Sequence, residues 1–334
     1  MPKRSASVLA LHRVQTLRTH VIFSIMQCCI YTASGELELA RDGELSVAIL
    51  KQPTSVVSLP GSNELVVVDS GHDRLVAVSP SGQFLRVIGG LSNPVGAAWH
   101  SQRRGVQLLV GEQGSSRLSR LSYPTGEVLG SLGRRPELRS PIAVLRAAGR
   151  ILVSDVCYEK LGDECIGRVL IYDKNLDHLL TIDSGALPNG SRLHPHGLAV
   201  LPSSTSAGRR AGRLYIADAD SSCLWLFTLE GRLLRRVGTR GTGPMQFIHP
   251  RGLMVLPVGS PPADPYLVVA ERERVQVLRV GPSSEGEPER SLQRIEYPGS
   301  GLLGLCASLD GSRVYVADVS RDRVVVLRRV DAST

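Results

Sequence analysis

The sequence predicts an all-β chain closed into a six-bladed β-propeller. Three observations carry that prediction. A short apolar strand ending in an acid is written six times, closing on Asp69, Glu112, Asp155, Asp218, Glu271 and Asp318. The acids are spaced 43, 43, 63, 53 and 47 residues apart, and a period in the low forties fits one four-stranded blade. The 34 Gly and 20 Pro are spread along the chain, as many short strands with many turns require.

Each acid is preceded by a second marker, the opening of an apolar strand. Five of these begin with Pro, at Pro53, Pro94, Pro141, Pro195 and Pro250, and the sixth is the run Gly301-Leu302-Leu303-Gly304. Proline suits the first residue of a strand, where no ladder N–H is lost. Gly96, Gly197 and Gly252 stand two residues after their prolines. Lacking a Cβ, they allow backbones to approach closely, as strands crowding a central axis must.

A third strand follows each acid and in five blades starts with arginine: Arg74, Arg117, Arg168, Arg274 and Arg323. In three of them the arginine lies five residues after the acid, across a tight turn. A carboxylate–guanidinium pair there would pin the turn, so these acids and arginines read as blade structure rather than chemistry. A fourth strand follows a Gly turn, as in Ser81–Ile88 and Glu230–Val237. The last blade ends on its third strand, while residues 34–41 sit spare near the start. That N-terminal strand is expected to complete the last blade and close the ring, removing exposed sheet edges.

Pro-x-Gly-Leu, an apolar strand ending in Ala-Asp, Arg-Val-x-Val and a Gly turn together resemble the NHL repeat. Asp69–Leu75 and Tyr215–Asp218 match it best, and the resemblance covers roughly residues 34–330. It implies one NHL-type propeller over 34–330, preceded by a basic and apolar extension over 1–33.

With 42% apolar residues but only 4% aromatic, the core must be built from Val, Leu and Ile, which branch well onto pleated sheets. The net charge of +8 comes from 39 Lys+Arg, of which only Lys3, Lys51, Lys160 and Lys174 are lysines. Residues 1–33 hold no acid and run apolar from Val21 to Tyr31, too short to span a bilayer. They read either as an extra strand or as a targeting segment. The expected location is cytoplasmic, or targeted or secreted through that segment, with no membrane span. Six cysteines without a CxxC pair point to free thiols, and only Cys157 and Cys165 are placed to bridge.

Candidate chemistry gathers in His194-Pro195-His196 and His249-Pro250-Arg251. Three imidazoles from neighbouring blades can hold zinc with an open position. Among NHL-like propellers, peptidylglycine α-amidating lyase resembles this chain, and the resemblance places its zinc histidines just after the strand-opening prolines. The corresponding residues here read Thr54, Val95, Ile142, His196, Arg251 and Leu302, so one histidine matches, and no metal or other cofactor is expected. Asp218-Ala219-Asp220 lacks the other ligands of a calcium loop, and Gly238–Gly243 follows a strand without opening a helix.

The expected function is a non-enzymatic, monomeric platform that binds a protein or peptide at the funnel mouth and loop insertions. Low-order candidates for contact are His194, His196, His249 and Arg251. The first alternative is single-stranded RNA on a face of blades three to five, carried by Arg134-Arg135, Arg209-Arg210, Arg232, Arg235-Arg236, Arg240 and Arg251. With only 2 Trp, 8 Tyr and 4 Phe, stacking partners for bases are scarce. The second alternative is a metal-dependent lyase.

Overall fold

The computed structural model describes residues 38–45, 49–102, 105–132, 138–156, 167–202, 212–256, 265–280 and 289–330. The 1–33 extension, Cys157, Cys165 and the pairs Arg134-Arg135 and Arg209-Arg210 lie outside them. So do most of the two loop insertions of blades four and five.

Six antiparallel four-stranded sheets stand around one axis. In blade one the strands run Pro53–Ser58, Leu65–Asp69, Arg74–Val78 and Phe84–Ile88, ordered from inside to outside. Blades two to five repeat this order, and their inner strands are Pro94–Gln102, Pro141–Ala147, Pro195–Pro202 and Gly252–Leu256. Blade six holds Leu302–Ala307, Arg313–Asp318 and Arg323–Val330, and Glu38–Leu45 lies antiparallel on its outer edge. Inner strands touch around the whole ring, including blade six against blade one.

The second strands explain why the sheet stacks form. Leu65–Asp69 and Tyr266–Ala270 are buried at every residue, because both sheet faces are covered by neighbouring blades. The apolar side chains gather into six clusters, each lying between two adjacent blades. Tyr215, Tyr315, Phe227 and Phe247 are the largest fully buried side chains, and Val, Leu and Ile supply the rest.

Glycine sets the radius of the ring. A Cβ on Gly96 would lie 2.3 Å from the Ile142 carbonyl oxygen, and one on Gly197 would lie 2.4 Å from that of Arg251. At Gly252 the Leu303 oxygen would be 2.0 Å away. These contacts are backbone, so no side-chain rotation relieves them. Gly304 completes the level, its Cβ position 2.9 Å from Ser55 Cα.

That register corrects one sequence alignment. Leu302 pairs with Asp318 as Pro53 pairs with Asp69, so Leu302 takes the place of the missing proline. The blade-six residue level with Thr54, Val95, Ile142, His196 and Arg251 is therefore Leu303.

The blade acids have carboxylates in contact with arginine in five blades. Asp69–Arg74 lies at 2.7 Å, Glu112–Arg117 at 2.9 Å and Asp318–Arg323 at 3.0 Å. Asp155–Arg168 and Glu271–Arg274 lie at 2.9 and 2.8 Å despite their different spacings. Each of these acids also accepts an N–H from the connection entering its own blade: Lys51, Ser92, Ser140, Ile248 and Gly301 are the donors. One side chain thus ties two strands and an inter-blade loop.

Among the described residues no helix is long and apolar enough to cross a membrane.

Candidate functional site at the propeller axis

The inner strands enclose an axial cavity of about 590 Å³. Its wall is mostly aliphatic, and its ionisable lining among the described residues is Arg146, His196, Arg251 and Cys306, with no carboxylate. Burial pushes the Cys306 thiol up to about 12, so it is protonated and a poor nucleophile at neutral pH.

His196 and Arg251 follow Pro195 and Pro250 on neighbouring strands and reach one mouth of the cavity together. His196 is buried, with 8% of its surface exposed. Burial holds its pKa down at about 3, assisted by the positive fields of His194, Arg251 and His249. It is therefore a neutral imidazole at every physiological pH. The Nε of Arg251 is buried there with no hydrogen-bond partner among the described residues. A guanidinium N–H left so is costly unless a ligand or water accepts it. The Ser154 hydroxyl donates to the His196 carbonyl at 2.6 Å and fixes this strand from the neighbouring blade.

The other candidate histidines do not join them in the wall. The His194 ring lies 5.2 Å from that of His196, with Asp220 at 3.7 Å from its Nδ1. His249 has φ +47 and turns its Nδ1 to the Ala219 carbonyl at 3.0 Å. Among the described residues no group of three His, Cys, Asp or Glu is placed to hold a metal ion. The donor set of the amidating-lyase resemblance is thus not assembled, since its ring holds Thr54, Val95, Ile142, Arg251 and Leu303 beside the single His196.

The candidate RNA face is dispersed. Arg235 pairs with Glu289 at 2.8 Å, and that buried carboxylate also accepts the Tyr215 hydroxyl at 2.8 Å. Arg236, the next residue, donates to the Ser221 carbonyl and covers the Trp225 ring. Arg240 is exposed on the connection between blades four and five, and Arg251 lies inside the cavity. These four do not share a surface. The Gly238–Gly243 run is that connection: its Gly241 and Thr242 carbonyls accept from Arg274.

The far mouth of the cavity escaped sequence reading. Trp99 and Arg146, four residues beyond Val95 and Ile142, meet there with the Arg146 Cζ 5.4 Å from the ring centroid. Neither belongs to a motif. Only the common register of two inner strands brings them to one level.

No family model matches the chain, and no curated protein is similar to it in sequence. The NHL likeness therefore rests on repeat motifs alone. Solved structures share the fold. A gluconolactonase from Xanthomonas campestris is 18% identical with a TM-score of 0.63, over 89% of this chain and 91% of that one. A second propeller assigned as a gluconolactonase is 19% identical with a TM-score of 0.62, over 90% and 94%. A luciferin-regenerating enzyme is 10% identical with a TM-score of 0.60, over 89% and 96%. The TM-scores and coverage show a shared fold. The structures named here are described as enzymes, which stands against the expectation of a non-enzymatic platform.

Proposed function

We propose that the protein is a hydrolase of its axial cavity, opening the ester bond of a small lactone or carboxylic ester. The observation that carries this reading is the neutral, buried His196 beside Arg251 on a wall without carboxylates. The shared architecture with gluconolactonases supports the class of bond.

In this reading His196 accepts a proton from water as the water oxygen attacks the acyl carbon. The carbonyl becomes a tetrahedral oxyanion, and the Arg251 guanidinium donates to it. The carbon–alkoxide bond then breaks, and His196 returns its proton to the leaving oxygen, giving a carboxylic acid and an alcohol. A base near pKa 3 is always available but weak, whereas an effective base has a pKa near the working pH. Negative charge developing at the oxyanion offsets the field of Arg251 and His194, raising the basicity of His196 when it is needed.

The test is a pH-stat assay of the purified full chain against five- and six-membered lactones and aryl esters, each with and without a carboxylate. Turnover of at least one class above background, reduced in Arg251→Met, is expected. No turnover of any of them would contradict the reading.

A further inference from the structure

We propose that the mouth of the axial cavity opposite His196 is a second ligand site, in which Arg146 and Trp99 take the carboxylate end of an elongated, partly apolar small molecule.

Among the described residues four arginines lie over aromatic rings, and Arg146 differs from the other three. Arg41 is bonded to the Glu296 carbonyl, Arg86 to Glu64, and Arg236 to the Ser221 carbonyl. Each is thereby committed to protein structure. Among the described residues the guanidinium of Arg146 has the Trp99 ring as its neighbour and no carboxylate. It lines the cavity and is partly desolvated, so burial holds its pKa below the ordinary value. Stacking on an aromatic face fixes the plane of a guanidinium and leaves its edge N–H groups free for a planar acceptor.

The ionisable groups that act on His100 at this mouth are arginines. His100, buried just behind Trp99 in sequence, has its pKa lowered by burial, then by Arg146 and by Arg120. Among the described residues the buried Nε of Arg120 has no hydrogen-bond partner. An anion is the missing complement, and a carboxylate matches the fork of an arginine. The remainder of the wall, including Val144, Val200 and Val255, favours an apolar body behind that anion.

The ladder slips once between Pro141 and Ala143, so Arg146 stands about 10 Å along the strand from the level of His196. A molecule held at both levels carries polar ends about that far apart. Binding at Arg146 is independent of any hydrolysis. Only its service as a specificity subsite rests on the hydrolase reading.

Calorimetric titration of the full chain with 4-phenylbutyrate and with its neutral amide, 4-phenylbutyramide, tests the site. The carboxylate is expected to bind about tenfold or more tightly than the amide, matching one charge-assisted hydrogen-bonded pair. Arg146→Met should lose about the same factor, Arg146→Lys should recover part of it, and Arg251→Met should stay within about twofold. Binding should change tryptophan fluorescence in the native chain and not in Trp99→Phe, since Trp225 is buried away from the cavity. Equal affinity for acid and amide, unchanged affinity in Arg146→Met, or loss confined to Arg251→Met would each overturn the proposal. Because the readout is binding, an inactive protein that still binds would sink only the hydrolase reading.

Discussion

Trp225 donates its indole N–H to the buried carboxylate of Asp218 at 2.9 Å, in a blade where Cys223 holds the register position that carries the acid's arginine elsewhere. Blade four thus satisfies its acid with a neutral donor and the Ser221 N–H. Trp225→Phe keeps most of the packing but strands the carboxylate. It should cost about 1–3 kcal/mol in urea denaturation, the penalty for an unsatisfied buried acceptor. Asp218→Asn in the same background should recover part of that loss.

The arginine clips differ in burial, and their removal should differ accordingly. Arg274 is 5% exposed and holds Glu271 together with the Thr242, Gly241 and Gln246 carbonyls. Arg274→Met should cost about 3–5 kcal/mol, as for breaking a buried pair from one side. Arg117→Met, at a side chain 31% exposed, should cost about 1 kcal/mol, because the Ser92 N–H and the Ser115 and Ser119 hydroxyls still donate to the buried Glu112 carboxylate. Equal losses in chemical denaturation would mean that burial does not govern these clips.

Gly252→Ala places a Cβ 2.0 Å from the Leu303 carbonyl oxygen, and the ring must expand or the strand must shift. A destabilisation of about 1–3 kcal/mol is expected by thermal unfolding. Gly89→Ala meets no neighbour within 4 Å and serves as the control, with little change expected.

Glu64 pairs with Arg86 of its own blade at 2.7 Å, and the Tyr123 hydroxyl of blade two donates to the same carboxylate and joins the two blades. The hydrogen bond from Arg86 holds the Glu64 carboxyl below its ordinary value of 4.5. A depressed carboxylate pKa stabilises the fold above the unfolded value, and that contribution is lost as pH falls through the folded one. The stability gap between native chain and Glu64→Gln should therefore be present at pH 7 and shrink below about pH 4.5. A gap that is constant with pH would contradict the ionised clip.

The repeat was legible in sequence because a propeller writes its fold locally. The acids, the strand-opening prolines and Gly96, Gly197 and Gly252 each act within a blade or against the next one. Leu302 was misaligned only because blade six lacks the proline; the signal that fixes the register is Gly304, level with the other glycines. His196 and Arg251 were legible for the same reason, standing beside a marker. Arg146 and Trp99 were not, since they lie 47 residues apart in sequence and outside any motif. The same holds for Tyr215 with Glu289, whose contact is a consequence of blade packing. The axial cavity was not legible as a site, because its wall is assembled only when the six inner strands meet.

The measurement closest to the central claim is kcat for His196→Gln on the best ester or lactone, determined beside the native chain at pH 7. Glutamine preserves polarity and approximate size but accepts no proton. A loss of about a hundredfold or more in kcat with KM nearly unchanged is expected for removal of a general base. A kcat within twofold of the native value would contradict a catalytic role for His196 and, with it, the placing of the reaction at this mouth of the propeller.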